Sequence, residues 1–454
     1  MAGSVRLARV SDQNAAAESN PYEIRSFPVR RQVDGVDPRL SKWVQAVSFG
    51  FHDGAVDEET IEKYLASEEK DGRTATGVYA ATSLKGAWDA DYPVATYAAH
   101  RKTLNVGAGT LLPVHMITAV TVRSSHRRRG LLRSMITADL QQAKDDGLPM
   151  AALTASEASI YGRFGFGPAT HHTSVDIDAG PTFAFRNPAA ANRGLVEVAD
   201  PVVLQDLEPV LFERIHAATF GSIARQDSYR YQASGYWSYA NPERDKAVRA
   251  ALHYGADGGV DGYVSYKFKG WDEKPAAVEV VDLLAVDADA YLALWNYLGS
   301  LDLVGKVVRH GAPVEDPLEW ALANKRHYRR TRVSDHLWLR ILDTKAALEA
   351  RAWHHDAVVV LKVTDLLGHA GGVFEVKVAG GSASVTELVH DELVDEPRIH
   401  AELGIAELSS LYLGDVSPAT LAAAGTLRGL VPGAVERLQT LFGVPVRAHS
   451  LTDF

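Results

Sequence analysis

The chain has 454 residues, too many for one ordinary core, and two to four domains are expected. Its composition is that of a globular protein, and the absence of cysteine excludes disulfides, thiolate catalysis and cysteine-based zinc sites. Lys and Arg number 47 against 57 Asp and Glu, a formal charge of -10 that argues against nonspecific nucleic-acid binding and is compatible with cationic ligands. Residues 1–20 hold charges and no apolar core of signal-peptide length, and no long unbroken apolar run occurs. A cytoplasmic protein without a membrane partner is expected.

A first domain is expected over residues 1–178. Residues 61–65 lie in a helical pattern, residues 76–83 and 92–104 read as strands, and Asn105-Val-Gly-Ala-Gly-Thr110 is a glycine-rich turn. Residues 116–122 form a nearly continuous apolar run, the mark of a central strand covered on both faces. Leu132, Met135, Ile136, Leu140 and Ala143 then recur at helical spacing, and Gly147 and Pro149 end that helix. Residues 150–154 are the next strand. Ser156 is expected to cap a short helix containing Tyr161, which opens the loop Tyr161-Gly-Arg-Phe-Gly-Phe-Gly-Pro168.

The second domain is expected over residues 179–333, after a cluster of Gly, Pro and Ala. Residues 277–286 and 291–298 again read as strand, short connector and helix, with Asp287 or Asp289 as the cap. The third is expected over residues 334–454. Residues 337–341 look like a strand and 345–352 like a helix. Strands at 357–363, 373–378 and 382–387 form an antiparallel sheet turning at Ala379-Gly-Gly381. Helices follow at 405–412, 418–424 and 432–441, the last with a proline in its first turn. The aromatic last residue, Phe454, is expected to be packed.

Between the strand ending at Val122 and the helix at Leu131 lies Arg-Ser-Ser-His-Arg-Arg-Arg-Gly130. A helix start leaves backbone N–H groups without partners, and Arg127, Arg128 and Arg129 place positive charge there, against the helix dipole. The natural occupant is a phosphate or pyrophosphate. The dinucleotide G-x-G-x-x-G and the nucleoside-triphosphatase G-K-[ST] patterns are both missing. The second domain's connector carries no such loop, and Asp287 or Asp289 there would repel a phosphate, so one nucleotide-like ligand per chain is expected.

The Arg127-x-x-Gly130 loop resembles the pyrophosphate cradle of acyl-CoA-dependent GNAT N-acetyltransferases. His126-Arg-Arg-Arg-Gly-Leu-Leu-Arg133, Ala155-Ser-Glu157 with Ile160-Tyr-Gly-Arg-Phe-Gly-Phe-Gly-Pro168, Ala346-Ala-Leu-Glu-Ala-Arg351 and Leu411-Tyr-Leu-Gly414 together look like the Eis ("enhanced intracellular survival") family. The resemblance spans nearly the whole chain. It implies an α+β fold: two tandem GNAT-like domains, the second degenerate, followed by a sterol-carrier-protein-like α/β domain. It also implies acetyl-CoA as co-substrate, no metal, a homohexamer built as a dimer of trimers, and acetylation of amines on aminoglycosides, polyamines or lysine side chains.

The resemblance assigns Tyr161 as general acid and the α-carboxylate of Phe454 as base, a group whose reference pKa is only about 3.3–3.7. Val120, Thr121 and Val122 would offer backbone groups to the pantetheine arm, with a bulge to polarise the thioester oxygen. Arg127, Arg128, Arg129, Gly130 and Leu131 would hold the pyrophosphate, and Ser156 would lie near the cofactor. Trp43, Phe49, Phe51, His52 and Asp53 are candidates for the acceptor wall. Family members carry an aromatic residue where this chain has Ala119, which predicts a wider or differently shaped pocket. His171 and His172 show no metal-ligand spacing. A lysine or peptide acetyltransferase, or a noncatalytic lipid- or protein-binding module, are the competing readings; the intact arginine loop argues against the second.

Overall fold

A strand that is apolar on both faces belongs inside a sheet, and that rule sorts this chain into three sheets. The computed structural model describes residues 21–33, 35–388 and 399–454. Residues 1–20, where no signal-peptide core is expected, lie outside the described residues. Among these residues no helix is long and apolar enough to cross a membrane.

The first sheet runs Tyr22–Pro28, Thr74–Ala80, Ala95–Asn105, Leu111–Val122, Met150–Thr154, Leu337–Ile341 and Gly167–Pro168 in spatial order. The second runs Tyr328–Asp335, His171–Asp178, Lys306–Ala312, Ala277–Ala285, Val260–Phe268, Arg249–Tyr254 and Leu195–Ala199. The third comprises Ser382–Glu387, Gly372–Ala379, Ala357–Thr364, Ala401–Gly404 and Leu427–Gly429. The turn at Ala379-Gly-Gly381 has positive φ at both glycines, 59° and 85°, the backbone of a tight two-residue hairpin.

Two strands cross the boundaries expected from composition. His171–Asp178, placed with the first domain, pairs instead with Lys306–Ala312 and Tyr328–Asp335 of the second sheet. Leu337–Ile341, placed with the third domain, pairs antiparallel with Met150–Thr154 over five positions and lies inside the first sheet. All five of its residues are buried, so no edge position would suit it. Two smaller expectations also change. Glu157, not Ser156, holds the N-cap position of the short helix Ala158–Tyr161, without a side-chain cap bond, and Ser156 is exposed. The last long helix starts at Ala434 with Gly433 as its cap, so Pro432 precedes it.

The tandem relation is visible in the sheets. In the first, Leu111–Val122 is antiparallel to Ala95–Asn105 and parallel to Met150–Thr154. In the second, Ala277–Ala285 is antiparallel to Val260–Phe268 and parallel to Lys306–Ala312. Both central strands carry a register shift, opposite Tyr97 in one and at Val281 in the other. Residues 123–130 link strand to helix in the first unit. Only Val286 and Asp287 do so in the second, where the Asp287 side chain accepts from Ala290 N at 2.9 Å and caps the helix Ala288–Gly299.

Arg340 joins the first and third units. Its guanidinium donates to both oxygens of Asp365 at 2.7–2.8 Å, and neither side chain is more than 1% exposed.

Candidate active site

The bulge in the first sheet is the starting point. Thr96 faces Thr121 and Ala98 faces Thr118, so Tyr97 opposes both Ala119 and Val120. Ala119 takes the extra turn with φ of 53°, a conformation uncommon for any residue but glycine. The Thr96 hydroxyl donates to the Ala119 carbonyl at 2.9 Å and shares a 2.6 Å hydrogen bond with Thr121 Oγ1, which pins the distortion. Behind it, Tyr97 donates to Asp139 at 2.6 Å, and His115 Nε2 lies 2.5 Å from the same carboxylate. This network ties the bulged strand to the helix Leu131–Asp145.

Leu111–Val122 pairs with Met150–Thr154 only at His115 and Met116. From Thr118 to Val122 its edge on that side has no strand partner among the described residues, and the two strands part around an opening. Beyond Val122 the chain reaches a short 3-10 turn, then Arg128 with φ of 63° and Gly130 with φ of 78°, before the helix begins at Leu131. Gly130 provides no side-chain cap, so the first N–H groups of that helix remain available. Arg127 and Arg128 are exposed and have no ion pair among the described residues. Arg129 is also exposed, but its guanidinium donates to the Tyr22 hydroxyl at 2.8 Å. A free strand edge followed by an arginine-lined helix start fits a pantetheine arm and its pyrophosphate. Thr121 and Leu131 are buried, as side chains of the core.

On the other side of the bulge lies a cavity of about 1010 Å³ between the first two sheets. Trp43, Phe51, Asp53 and Ala119 line it, together with Thr154 and Phe454. Asp37 and Pro38 start the helix Pro38–Gly50 that carries Trp43, whose indole N–H donates to Thr76 O at 2.8 Å. Phe49 and His52 are not in the wall: Phe49 is exposed and packs edge-on against Trp88 with ring centroids 5.1 Å apart, and His52 is exposed at φ of 66°.

The last residues reach this cavity from the third unit and are fastened by the other two. The Thr154 hydroxyl donates to a Phe454 main-chain oxygen and accepts from Phe454 N at 3.3 Å. The Phe454 ring packs against the cluster that contains Tyr161, Phe164 and Phe166. Tyr229 donates to Asp453 O at 3.0 Å and receives Asp453 N at 2.6 Å, Arg225 donates to Leu451 O at 3.2 Å, and the Thr452 hydroxyl donates to Ile223 O at 2.8 Å. Arg225 is itself held by Glu208 and Asp282 at 2.8–2.9 Å.

Tyr161 is buried at 6% exposure, 6.2 Å from the Phe166 ring, and its hydroxyl makes no hydrogen bond among the described residues. Burial, with a smaller contribution from Glu157, pushes its pKa up to about 12, so it carries its proton throughout the neutral range. Within the cavity wall, Glu68 and Asp282 are matched by Arg73 and Arg225 at 2.8 Å, whereas Asp53 and Asp453 have no Lys or Arg partner among the described residues.

Matches to known families follow this geometry. A profile described as "Acetyltransferase (GNAT) domain" matches residues 40–169, a second one of that description matches 221–341, and a "Sterol carrier protein domain" profile matches 344–450. "N-acetyltransferase Eis" of Mycobacterium tuberculosis is 34% identical over 358 residues, 77% of this chain and 83% of that protein. The chain belongs to the Eis family of GNAT N-acetyltransferases. An uncharacterized N-acetyltransferase of Streptomyces griseus is 33% identical over 410 residues, 88% of this chain and 94% of its own length. The crystal structure of Eis1 from Mycobacterium abscessus superposes with a TM-score of 0.74 at 25% identity, covering 95% of this chain and all of that one. As an Eis-family enzyme the protein is an acetyl-CoA-dependent acetyltransferase acting on amines, with two GNAT-like units and a sterol-carrier-like unit.

Several residues that build this site carry no signal in the sequence. Thr154, Tyr229, Arg225 and His336 meet the chain end across 117 to 300 positions of sequence. His172, read as outside any metal pattern, stands with His336 and Asp453 in a cluster of ligand-type side chains.

Proposed function

We propose that the protein transfers acetyl from acetyl-CoA to primary amines of polycationic small molecules, of the aminoglycoside or polyamine class, at more than one position. The cavity carries this reading. It is far larger than one amine needs, it meets the bulged strand at Ala119, and its carboxylates Asp53 and Asp453, neither paired with a Lys or Arg among the described residues, attract cations. Phe51, exposed in the same wall, adds an aromatic face for an ammonium group. Ala119, lacking the family's aromatic side chain, leaves room at the mouth.

Bound acetyl-CoA supplies an acetyl group activated as a thioester. Val120 and Val122 would offer it their free strand edge, a backbone N–H freed at the bulge would polarise the thioester oxygen, and Arg127, Arg128 and Gly130 would hold the pyrophosphate. The arriving amine is protonated, with a reference pKa near 10.4 for a lysine-like group. The Phe454 carboxylate, seated by Thr154, holds the ammonium by charge and takes its proton onward to water. Tyr161, with its pKa at about 12, holds its proton more tightly than a free thiol, whose reference value is about 8.5, so it steadies the departing sulfur chiefly by donating a hydrogen bond.

Supply of acetyl-CoA argues for a cytoplasmic location, and the family assignment argues for a hexamer, a dimer of trimers, with neither nucleic acid nor membrane as partner. Light scattering tests the hexamer mass. The decisive assay is thiol release from acetyl-CoA with aminoglycosides, polyamines and lysine peptides in parallel. Turnover on the first two supports the reading; faster turnover on peptides assigns the cavity to protein lysines; none at all with acetyl-CoA bound removes the catalytic reading.

A further inference from the structure

The wall of the cavity holds two histidines that the acetyl transfer does not use, His172 and His336, beside the carboxylate of Asp453. His172 and His336 stack with ring centroids 4.6 Å apart, and His336 Nε2 lies 2.9 Å from Asp453 Oδ1. One ligand-type atom from each of the three falls within 4.8 Å of the others. They come from three places in the fold: the strand His171–Asp178, the residue before Leu337–Ile341, and the chain end. All three line the cavity, so a small ion has a route to them.

Their state suits a metal. No side-chain hydrogen bond occupies the ring nitrogens of His172 among the described residues, and its ring is half-buried against His336. Nδ1 of His336 is buried without a hydrogen bond, and so are both ring nitrogens of nearby His449. Arg225, the cation that acts on Asp453, is neutralised by Glu208 and Asp282.

We propose that His172, His336 and Asp453 form a site for a divalent transition ion of the zinc class, and that its occupation excludes the amine acceptor. Two imidazoles and one carboxylate with an open fourth position are a standard zinc donor set. Ligand atoms around a tetrahedral zinc stand about 3.3 Å apart, given bonds of about 2.0–2.1 Å. His336 Nε2 and Asp453 Oδ1, at 2.9 Å, have to open slightly, and the wider separations, within 4.8 Å, have to close by on the order of 1 Å. Asp453, whose side chain is 75% exposed, is free to make that movement. The ion would then neutralise a carboxylate that attracts the acceptor and would draw Asp453 away from its present place beside Phe454. The exclusion of the acceptor rests on the catalytic reading above; binding of the ion does not.

Cobalt(II) titrated into the metal-free full-length protein tests the site without any turnover. A saturable visible absorption band of tetrahedral intensity, displaced by one equivalent of zinc, is expected. His172→Gln and His336→Gln are each expected to weaken binding at least tenfold while thermal melting and acetyl-CoA binding confirm the fold. A cobalt spectrum of the hexa-aquo type, or unchanged affinity in both variants, overturns the proposal. In the thiol-release assay zinc is expected to raise the acceptor KM and leave that of acetyl-CoA unchanged. Binding with no effect on any acceptor would keep the site and refute the exclusion.

Discussion

Replacing Thr154 by valine isolates the seat of the terminal carboxylate. Valine keeps the branched shape and the half-buried position at the end of Met150–Thr154, and removes one hydroxyl. That hydroxyl makes two hydrogen bonds, both to Phe454. A hydrogen bond to a charged group contributes about 1.5–3 kcal/mol, and each 1.36 kcal/mol is tenfold in rate. The bonds of Tyr229 to Asp453, Arg225 to Leu451 and Thr452 to Ile223 remain, so the chain end stays in the cavity. The expected loss is therefore about 10- to 100-fold in kcat, with the KM for acetyl-CoA unchanged. Steady-state thiol release at saturating acetyl-CoA, with the best acceptor from the screen, measures both. A kcat within twofold of the parent would mean that the position of the Phe454 carboxylate does not limit the reaction, and the role assigned to it would be withdrawn.

Further outcomes follow from the same geometry. Extending the chain beyond Phe454, or removing Asp453 and Phe454, should abolish most turnover while calorimetry still detects acetyl-CoA binding; normal turnover would contradict the role of the chain end. Tyr161→Phe should lower kcat and leave cofactor affinity intact, and the parent's rate should show no loss from tyrosine ionisation below about pH 11, because burial lifts that group to about 12. Arg127→Ala with Arg128→Ala should raise the KM for acetyl-CoA at least tenfold and leave the acceptor KM alone. Asp365→Ala should cost about 3–5 kcal/mol in denaturant unfolding, since it strands the buried Arg340 guanidinium. Burial depresses His216 to about 4 in the folded protein. Its unfolded form binds a proton near 6.5, so folded-state stability should fall as pH drops from about 6.5 toward 4, and His216→Gln should flatten that slope.

What the sequence made legible was local. Residues 131–143 announced their helix through apolar spacing, and the paired glycines at 380 and 381 announced a hairpin, because each pattern needs only its own neighbours. The helix Pro38–Gly50 carries a local signal of the same kind, an Asp37 cap followed by Pro38. Which strand lies beside which is another matter. Leu337–Ile341 reads correctly as an extended segment and His171–Asp178 carries no strand reading at all; nothing in an apolar pattern names a partner, and both joined a sheet other than the one their position suggested. The bulge was anticipated as a feature, yet its backbone turn falls on Ala119, a residue with no preference for positive φ. The same limit hid Thr154, Tyr229 and His336: ordinary residues that acquire their roles only when the chain end arrives.

The first sheet keeps a place for a strand made much later. Its interior position between Met150–Thr154 and Gly167–Pro168 is filled by Leu337–Ile341. A ribosome that has delivered the whole sequence up to Pro168 has therefore made a catalytic sheet that stops at Met150–Thr154 with that strand's far edge unpaired. That half-built sheet has to wait, exposing Leu153 and its neighbours, until the second unit has been synthesised. A fragment cut before Leu337 lacks a buried strand of the catalytic sheet. Exchange of whole units between relatives would have to carry the crossing strands with them.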